Sequence, residues 1–234
     1  PITVDQSEYV SVDDIKNTVF QMIEKRQGDK LPVSAFSKHP DGSVEGRTTY
    51  LEKRDISEVV PSYEKENCIT CNLCSLVCPH AVIRPFLLDS EEVKKAPDTL
   101  KETLIPTSLG KNYQYTIAVS LKDCTGCGLC AKICPGKKGK KALQMRPKQE
   151  VMTTEKLEEA DYLFQEVKEK HVMNKNTVKG SQFMKPHFEF SGACAGCGQT
   201  PYLKLLTQLF GDRLMIANAT GCSSIYGASY PSMP

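Results

Sequence analysis

The sequence predicts an α+β fold that is organised around two copies of one cysteine pattern, followed by the beginning of an α/β domain. The pattern C-x2-C-x2-C-x3-C-P occurs at residues 68–79 and again at residues 124–135, hereafter the first and second runs. A short apolar segment follows each run, as expected if each half of the module closes with a strand. Further on, a glycine-rich stretch with more cysteines precedes an amphipathic helix pattern and a strand-like run, which is typical of α/β domains.

The spacing within each run is that of a ferredoxin-like module that binds two [4Fe-4S] clusters, in which the last cysteine of one run binds the other run's cluster. The sequence therefore predicts two clusters with exchanged ligands. The eight cysteines divide into a first set, Cys68, Cys71, Cys74 and Cys134, and a second set, Cys124, Cys127, Cys130 and Cys78. Small residues between the ligands, above all Gly126 and Gly128, allow backbone N–H groups to approach the sulfur atoms.

Zinc and disulfide bonds are the alternative explanations for so many cysteines. A zinc site closes with four ligands drawn from two short motifs, so a run of four with a trailing proline, present twice, favours iron–sulfur clusters. Disulfide bonds would consume the grouped ligands, and we expect no secretory leader. The eleven cysteines therefore indicate a reducing environment, and oxygen-sensitive clusters indicate an anaerobic one.

Composition limits the kinds of partner that we expect. The net charge of +2 is close to neutral and no apolar run is as long as a membrane helix, so neither a nucleic-acid partner nor a membrane span is expected. We interpret the 234 residues as an internal fragment, because the sequence begins at Pro1 and ends shortly after an apolar, glycine-rich stretch. No arrangement of serine, histidine and carboxylate residues indicates hydrolysis, and no catalytic residue is assigned.

Four segments are expected along the chain. They are a helix and extended connector from a preceding domain at residues 1–63, the ferredoxin-like domain at 64–147, a helix and linker at 148–187, and the truncated start of the α/β domain at 188–234. The stretch between the two runs is longer than a minimal ferredoxin needs. We expect this insertion to pack over a cluster rather than to shape contacts with neighbouring domains.

Apolar periodicity predicts three helices. One spans residues 11–28, one begins at Thr154, and one has Thr200 as its N-cap and Pro201 at its first position. The last helix is expected to be buried through its leucine residues. Residues 214–217 are expected to form a buried strand after it.

Two further features near the runs have more than one interpretation. Residues 136–141, G-K-K-G-K-K, are expected to form a solvated turn, and a docking patch for an acidic electron carrier is the alternative. His80 follows Cys78 and Pro79. Because the eight ligand positions are already filled, we expect His80 to donate a hydrogen bond to a cluster sulfur or simply to pack.

Cys194, Cys197 and Cys222, hereafter the third cysteine group, supply three thiolates, one fewer than a [4Fe-4S] cluster requires. Either the fourth ligand lies outside the sequence, or the site has three ligands, or these cysteines are merely buried. The surrounding glycine-rich loop, helix start and strand-end turn are also places where α/β proteins bind phosphorylated cofactors.

The two runs, followed by S-G-A-C-A-G-C-G-Q-T-P-Y from Ser191 and A-N-A-T-G-C-S-S-I-Y-G from Ala217, resemble the pyruvate:ferredoxin (flavodoxin) oxidoreductases of the 2-oxoacid:ferredoxin oxidoreductase family. The resemblance extends over essentially the whole sequence. It implies an enzyme that oxidatively decarboxylates pyruvate to acetyl-CoA and CO2 with thiamine diphosphate and Mg2+. Electrons would pass through three [4Fe-4S] clusters to ferredoxin or flavodoxin. Pyruvate and coenzyme A would be substrates of the full-length enzyme, which is expected to be a homodimer. The fragment alone would be inactive.

The resemblance also implies roles for residues of the last segment. The third cysteine group matches three ligands of the cluster nearest the thiamine, and the fourth cysteine and the G-D-G…Asn motif for Mg2+ would lie downstream. Family members more often have an acidic residue at the position of Gln199. The protein would be cytoplasmic, or hydrogenosomal in an anaerobic eukaryote. Thiamine diphosphate would lie against two stretches: Gly196, Cys197, Gly198, Gln199 and Thr200, and Thr220, Gly221, Cys222, Ser223 and Ser224.

Two other functions stay open from the sequence. One is a non-enzymatic electron carrier of the two-cluster ferredoxin type, although such a carrier has no need for the third cysteine group. The other is an oxidoreductase for a different 2-oxoacid, because substrate contacts would come from other domains.

Overall fold

The computed structural model describes residues 19, 21–37, 53–109 and 112–228. The helix predicted over residues 11–28 falls largely outside this part of the chain, and within it Gln21–Glu24 is helical. None of the helices in the described ranges is long and apolar enough to cross a membrane.

Most of the described helices and strands are short. The α-helices are α1 (Gln21–Glu24), α2 (Leu73–Val77), α3 (Ser90–Lys95), α4 (Asp98–Thr103), α5 (Leu129–Ile133), α6 (Lys148–Val151), α7 (Thr154–Gln165), α8 (Val178–Ser181), α9 (Thr200–Phe210) and α10 (Cys222–Ala228). The strands are β1 (Val59–Tyr63), β2 (Ile83–Leu88), β3 (Ile105–Pro106), β4 (Gln114–Val119) and β5 (Leu143–Pro147).

Two small antiparallel sheets frame the module. β1 pairs with β5, and Tyr63 lies opposite Leu143. β2, β4 and β3 form the second sheet in that order. β1 precedes residue 64, where the ferredoxin-like domain was predicted to begin. Because β1 pairs with β5, the end of the predicted connector belongs to the sheet of this module.

The two cysteine runs fold as a structural repeat. A 3-10 turn precedes each run, at Lys65–Asn67 and Leu121–Asp123. Each run then contains a loop and a short helix, α2 in the first and α5 in the second. A strand follows each run as predicted, although β2 begins only at Ile83. The α+β prediction for this module is therefore confirmed.

The insertion between the runs packs against the first run, and its expected position over a cluster stays a prediction. It supplies β4, the central strand of the second sheet, whose Tyr115 side chain is fully buried. Its helix α3 begins with a capping box, in which the Asp89 carboxylate accepts from the backbone of Glu91 and Glu92 and the Glu92 carboxylate accepts from the backbone of Asp89. Leu163 of α7 packs on the buried residues of this insertion.

Charged and aromatic contacts hold the start of the last segment against the module. Arg84 of β2 forms an ion pair with Glu189, and both side chains are largely buried. The Arg84 guanidinium also lies 4.8 Å from the ring centroid of Phe164 and 5.4 Å from that of Phe190. These contacts join β2, α7 and the last segment in one packed unit.

Three expectations for the last segment are wrong. α9 forms where predicted, but its N-cap is Gln199. Its buried face is polar rather than leucine-lined, and consists of Thr200, Lys204, Thr207 and Gln208. Residues 214–217 form no strand, and Met215 is 99% exposed, because no other strand of the described residues pairs with them.

Candidate iron–sulfur centres

The first set is built by the loop of the first run and the start of α2. Burial, followed by the negative charges of Cys130, Cys68 and Cys71, raises the pKa of the Cys74 thiol well above its usual range. The backbone N–H of Thr70 donates to Cys68 Sγ over 3.3 Å. Three of the four predicted ligands therefore lie within electrostatic reach of one another. The assignment of all four cysteines, Cys134 included, as ligands of one cluster stays a prediction.

The second set has the same local geometry. The backbone N–H of Gly126 donates to Cys124 Sγ over 3.4 Å, at the position equivalent to Thr70 in the first run. Burial raises the pKa of Cys124 to about 11, and burial together with the charges of Cys78, Cys124 and Cys127 raises that of Cys130 to about 12. Cys78 of the first run thus lies near cysteines of the second run, and the exchanged ligand assignment stays a prediction.

The chemistry of these donors fits an iron–sulfur cluster. Buried thiols with raised pKa values resist ionisation in water, but a bound metal cation deprotonates a coordinating thiol outright. Two buried hydroxyl groups lie beside the cysteines: Tyr63 Oη faces the Cys68 thiol, and Thr125 Oγ1 has no hydrogen-bond partner among the described residues. Burial, followed by the charge of Cys68, raises the pKa of Tyr63. These hydroxyls are donors that an anionic, sulfide-rich group could engage.

In the described part of the chain, no three Cys, His, Asp or Glu side chains lie close enough to share a single metal ion. The thiolates of a [4Fe-4S] cluster bind separate iron atoms, so they need no such convergence.

The third cysteine group begins in a turn that lies against the second set. The backbone N–H of Cys197 donates to Cys194 O over 3.0 Å. Between them, Gly196 has a positive φ of 74°, and a Cβ built on it would lie 3.7 Å from Cys127 Cβ. Only a few ångströms of protein therefore separate this turn from the second run.

His80 anchors the segment that leads into this turn. Its backbone carbonyl accepts from Phe190 N over 2.8 Å, and its Nδ1 lies 3.0 Å from Ser191 O. Because a carbonyl can only accept, Nδ1 carries the proton. Burial lowers the pKa of His80, which leaves Nε2 of the neutral ring as an acceptor. The imidazole therefore positions the segment through its Nδ1, and a hydrogen bond from His80 to a cluster sulfur stays a prediction.

The three cysteines of this group differ in environment. Burial opposes ionisation of Cys197, but the backbone N–H groups of Thr200 and Gln199 outweigh it and lower the pKa of the thiol. Cys194 and Cys222 are exposed. Burial, followed by the charges of Cys197 and Cys222, raises the pKa of Tyr226, so these two cysteines both lie near its hydroxyl.

The stretches predicted to contact thiamine diphosphate lie at two helix starts. Residues 196–200 lead into α9, where Thr200 is fully buried and Gln199 makes no side-chain cap. Residues 220–224 lead into α10. Ser224 Oγ donates to Gly221 O over 2.8 Å and accepts from Gly221 N over 3.1 Å. Both stretches lack a carboxylate, so neither has the ligand type that Mg2+ prefers.

Sequence reasoning missed Lys204, which is 1% exposed at the centre of the polar face of α9. Its ammonium donates to the carbonyl oxygens of Ser75, of Leu76 over 3.2 Å and of Cys78 over 3.4 Å. Burial lowers the pKa of Lys204 to about 8, while the negative charge of Cys78 acts in the opposite direction. The signal in the sequence was the spacing of polar residues at 200, 204, 207 and 208, which places them on one helical face.

Two protein-family models match the sequence. One, described as a 4Fe-4S dicluster domain, matches residues 64–139 and so includes both cysteine runs. The other, described as a domain of unknown function, matches residues 8–57. Fold, cysteine pattern and family match together define a protein that contains a 4Fe-4S dicluster domain.

Curated relatives identify the family more closely. The chain is 52% identical over 221 residues to the pyruvate:ferredoxin oxidoreductase of Moorella thermoacetica, covering 92% of this chain and 18% of the relative. Identity is 51% with a pyruvate dehydrogenase [NADP(+)] of Cryptosporidium parvum, over 89% of this chain and 10% of the relative. Identity is 47% with a pyruvate-flavodoxin oxidoreductase of Klebsiella pneumoniae, over 94% of this chain and 18% of the relative. The chain belongs to the pyruvate:ferredoxin/flavodoxin oxidoreductase family, and it spans less than a fifth of the length of these relatives.

Proposed function

We propose that the protein to which this chain belongs oxidises pyruvate and that the chain carries the electrons away from the reaction. Pyruvate and coenzyme A give acetyl-CoA, CO2, one proton and two electrons, and the electrons leave singly for ferredoxin or flavodoxin. The observation that carries the proposal is the turn of the third cysteine group lying against the second set, with a Cβ on Gly196 only 3.7 Å from Cys127 Cβ. The names of the relatives supply the substrate and the acceptors.

The order of transfer follows from which cysteines are neighbours. The turn at Cys194 and Cys197 lies beside Cys127 of the second set. Cys130 of the second set lies within electrostatic reach of Cys74 of the first set. Electrons would therefore pass from the third cysteine group to the second set, then to the first set, and then to the soluble acceptor. The third group becomes a cluster only if a fourth ligand completes it.

Thiamine diphosphate would supply the decarboxylation chemistry, acting as a ylid that stabilises the carbanion left by CO2. The residues of this chain that would lie against it are those at the start of α9 and in the turn before α10. Their contribution is backbone N–H groups at helix starts, which favour phosphate groups. Mg2+ would be bound by residues outside these two stretches, because they contain no carboxylate.

The relative named a pyruvate dehydrogenase [NADP(+)] favours a second candidate for the terminal acceptor, since its identity to this chain, 51%, is nearly as high as the 52% of the ferredoxin enzyme. Under that alternative the same relay would deliver electrons to NADP+ through a further redox centre. The chemistry of pyruvate and the use of the cysteine sets would not change.

The test uses the whole protein to which this chain belongs, purified without oxygen. Iron and acid-labile sulfide should be present in equal amounts, and pyruvate with coenzyme A should reduce the clusters, as seen by electron paramagnetic resonance (EPR). Ferredoxin, flavodoxin and NADP+ are then supplied in turn to identify the acceptor. Cys127→Ala should remove one cluster signal and abolish acceptor reduction. Stoichiometric zinc without labile sulfide, or clusters that pyruvate does not reduce, would overturn the proposal.

A further inference from the structure

The buried lysine on α9 has an unusual environment for a charged side chain. Lys204 is 1% exposed, and lysines are almost never buried this deeply unless they are paired. In the described part of the chain, no carboxylate forms an ion pair with it. Its three N–H donors face three backbone carbonyl oxygens, those of Ser75, Leu76 and Cys78. The hydrogen bonds are satisfied, but carbonyl groups do not neutralise the charge.

The three carbonyls belong to the C-terminal end of α2 and the residue that follows it. The last carbonyls of a helix lack intrahelical donors and carry partial negative charge, so an ammonium group stabilises them. α2 also carries Cys74 of the first set and ends at Cys78 of the second set. Lys204 therefore lies at the end of the helix that carries a predicted ligand of each cluster, Cys74 of the first set and Cys78 of the second.

Two predicted cluster ligands lie near the Lys204 ammonium, while the charge of Arg84 opposes it. Among negative charges, that of Cys78 has the largest effect on the lysine, and that of Cys74 has a smaller one. A [4Fe-4S] cluster with four thiolate ligands is anionic, and it becomes more negative by one charge when it is reduced. A cation held nearby in a site of low dielectric constant therefore stabilises the reduced form.

The same helix also positions the third cysteine group. α9 begins three residues after Cys197, whose thiol faces the backbone N–H groups of Gln199 and Thr200. Lys204 lies one helical turn further along, about 6 Å by the rise of an α-helix. Thr207 Oγ1 on the same face accepts from the backbone of His187 over 3.2 Å. One rigid helix thus connects the third cysteine group to the end of α2.

We propose that Lys204 is a positioning residue of the electron relay: its buried charge raises the reduction potential of the cluster that contains Cys78, and its hydrogen bonds fix the third cysteine group relative to that cluster. The inference rests on the proposed function, since it requires clusters at both sites. It assigns a role in the relay to the polar face of α9, which holds no ligand itself.

The test compares Lys204→Met, which removes the charge but keeps an unbranched side chain, with Lys204→Arg, which keeps the charge. Lys94→Met is the matched control, because Lys94 lies on the insertion and pairs with Glu91 at the surface. Each protein is purified without oxygen, analysed for iron and labile sulfide, and titrated with redox mediators while its EPR signals are recorded.

We expect Lys204→Met to lower the equilibrium constant for reduction of one cluster at least tenfold, about 59 mV for a one-electron couple. The cluster of the first set should shift less, because Cys74 is the weaker partner. Lys204→Arg should restore most of the potential, and Lys94→Met should leave all potentials unchanged. Full cluster content in Lys204→Met with unchanged potentials would overturn the proposal.

If Lys204→Met loses its iron, Lys204→Gln is measured instead, because glutamine keeps N–H donors for the carbonyl oxygens and lacks the positive charge. A lowered reduction potential in Lys204→Gln supports the proposal, and a wild-type potential overturns it. The proposal is also overturned if Lys204→Gln and Lys204→Arg both fail to hold iron. Absence of clusters from the wild-type protein is a separate result, and it would overturn the proposed function itself.

Discussion

At equivalent positions of the two cysteine runs the backbone is left-handed, but the residues there differ. The first run has Thr70 with φ 54° and Asn72 with φ 63°, and the second run has Gly126 with φ 70° and Gly128 with φ 74°. In both runs the first of these positions points a backbone N–H at a cysteine sulfur, and the second precedes the short helix. Residues with a Cβ avoid this conformation unless other contacts compensate.

The compensation in the first run comes from distant parts of the chain. Tyr115 Oη donates to Asn72 Oδ1 over 2.8 Å, and Asn72 Nδ2 donates to Lys179 O over 3.0 Å. Lys179 Nζ also donates to Thr70 Oγ1 over 3.1 Å. In the second run the glycines avoid the strain directly, and Gly126 allows the close approach of β1. One backbone shape is thus obtained by long-range hydrogen bonds in one run and by the absence of side chains in the other.

The largest expected effect is that of Gly126→Ala. A methyl group there would lie 3.0 Å from Val59 O and 3.2 Å from Ser57 Cβ, in addition to the left-handed strain. We expect a cost of about 3 kcal/mol and release of the second-set cluster at a lower urea concentration, followed by the loss of iron–sulfur absorbance.

Gly128→Ala is the control for Gly126→Ala, because it adds the strain without the collision. The nearest atom to a Cβ on Gly128 is Met145 Cγ at 3.9 Å. Equal losses in the two variants would show that the approach of β1 does not matter.

Asn72→Ala should have the next largest effect, about 2 kcal/mol. It leaves the buried Tyr115 hydroxyl and the Lys179 carbonyl without their partner, and it places alanine in a left-handed conformation. The first-set cluster should be lost at lower urea concentration than in the wild type, with the second-set EPR signal retained. Simultaneous loss of both signals would contradict the separate support of the two runs.

Tyr115→Phe should cost about 1 kcal/mol, since it removes one hydrogen bond to Asn72 and leaves the ring packed against Phe183. The same urea series measures it. Combined with Asn72→Ala it should add almost nothing, because both changes break the same contact. Additive losses would mean that Tyr115 acts through something other than Asn72.

Gly128→Asn should have the smallest effect, about 0.5 kcal/mol, because asparagine tolerates the left-handed conformation better than other residues with a Cβ. It makes the second run resemble the first at this position, and Met145 leaves room for the side chain. A large loss of cluster would indicate that this loop, unlike its counterpart, requires glycine for more than its φ angle.

Local features of the fold were predictable because they depend on neighbours in sequence. The spacing within each run placed the cysteines in loops ahead of α2 and α5, and apolar runs marked β4 and β5. Proline and threonine marked the start of α9 to within one residue. The grouping of Cys78 with the second run followed from the spacing too, although the ligand assignments stay predictions until iron is measured.

Other features were decided only by tertiary contacts. The leucines of α9 suggested an apolar buried face, but the surface that α9 meets is the polar end of α2, so Lys204 is buried and Phe210 is exposed. β1 became a strand because β5 pairs with it, while residues 214–217 have no such partner among the described residues.

The sequence by itself predicts which residues bind iron and how they are grouped, because ligand spacing is a property of a few consecutive residues. The tertiary structure decided what surrounds those groups: the hydrogen bonds that hold Asn72, the imidazole that anchors the third cysteine group, and the cation beside Cys78. These contacts join residues more than forty positions apart. Their formation depends on the packing of whole elements, which no local pattern specifies.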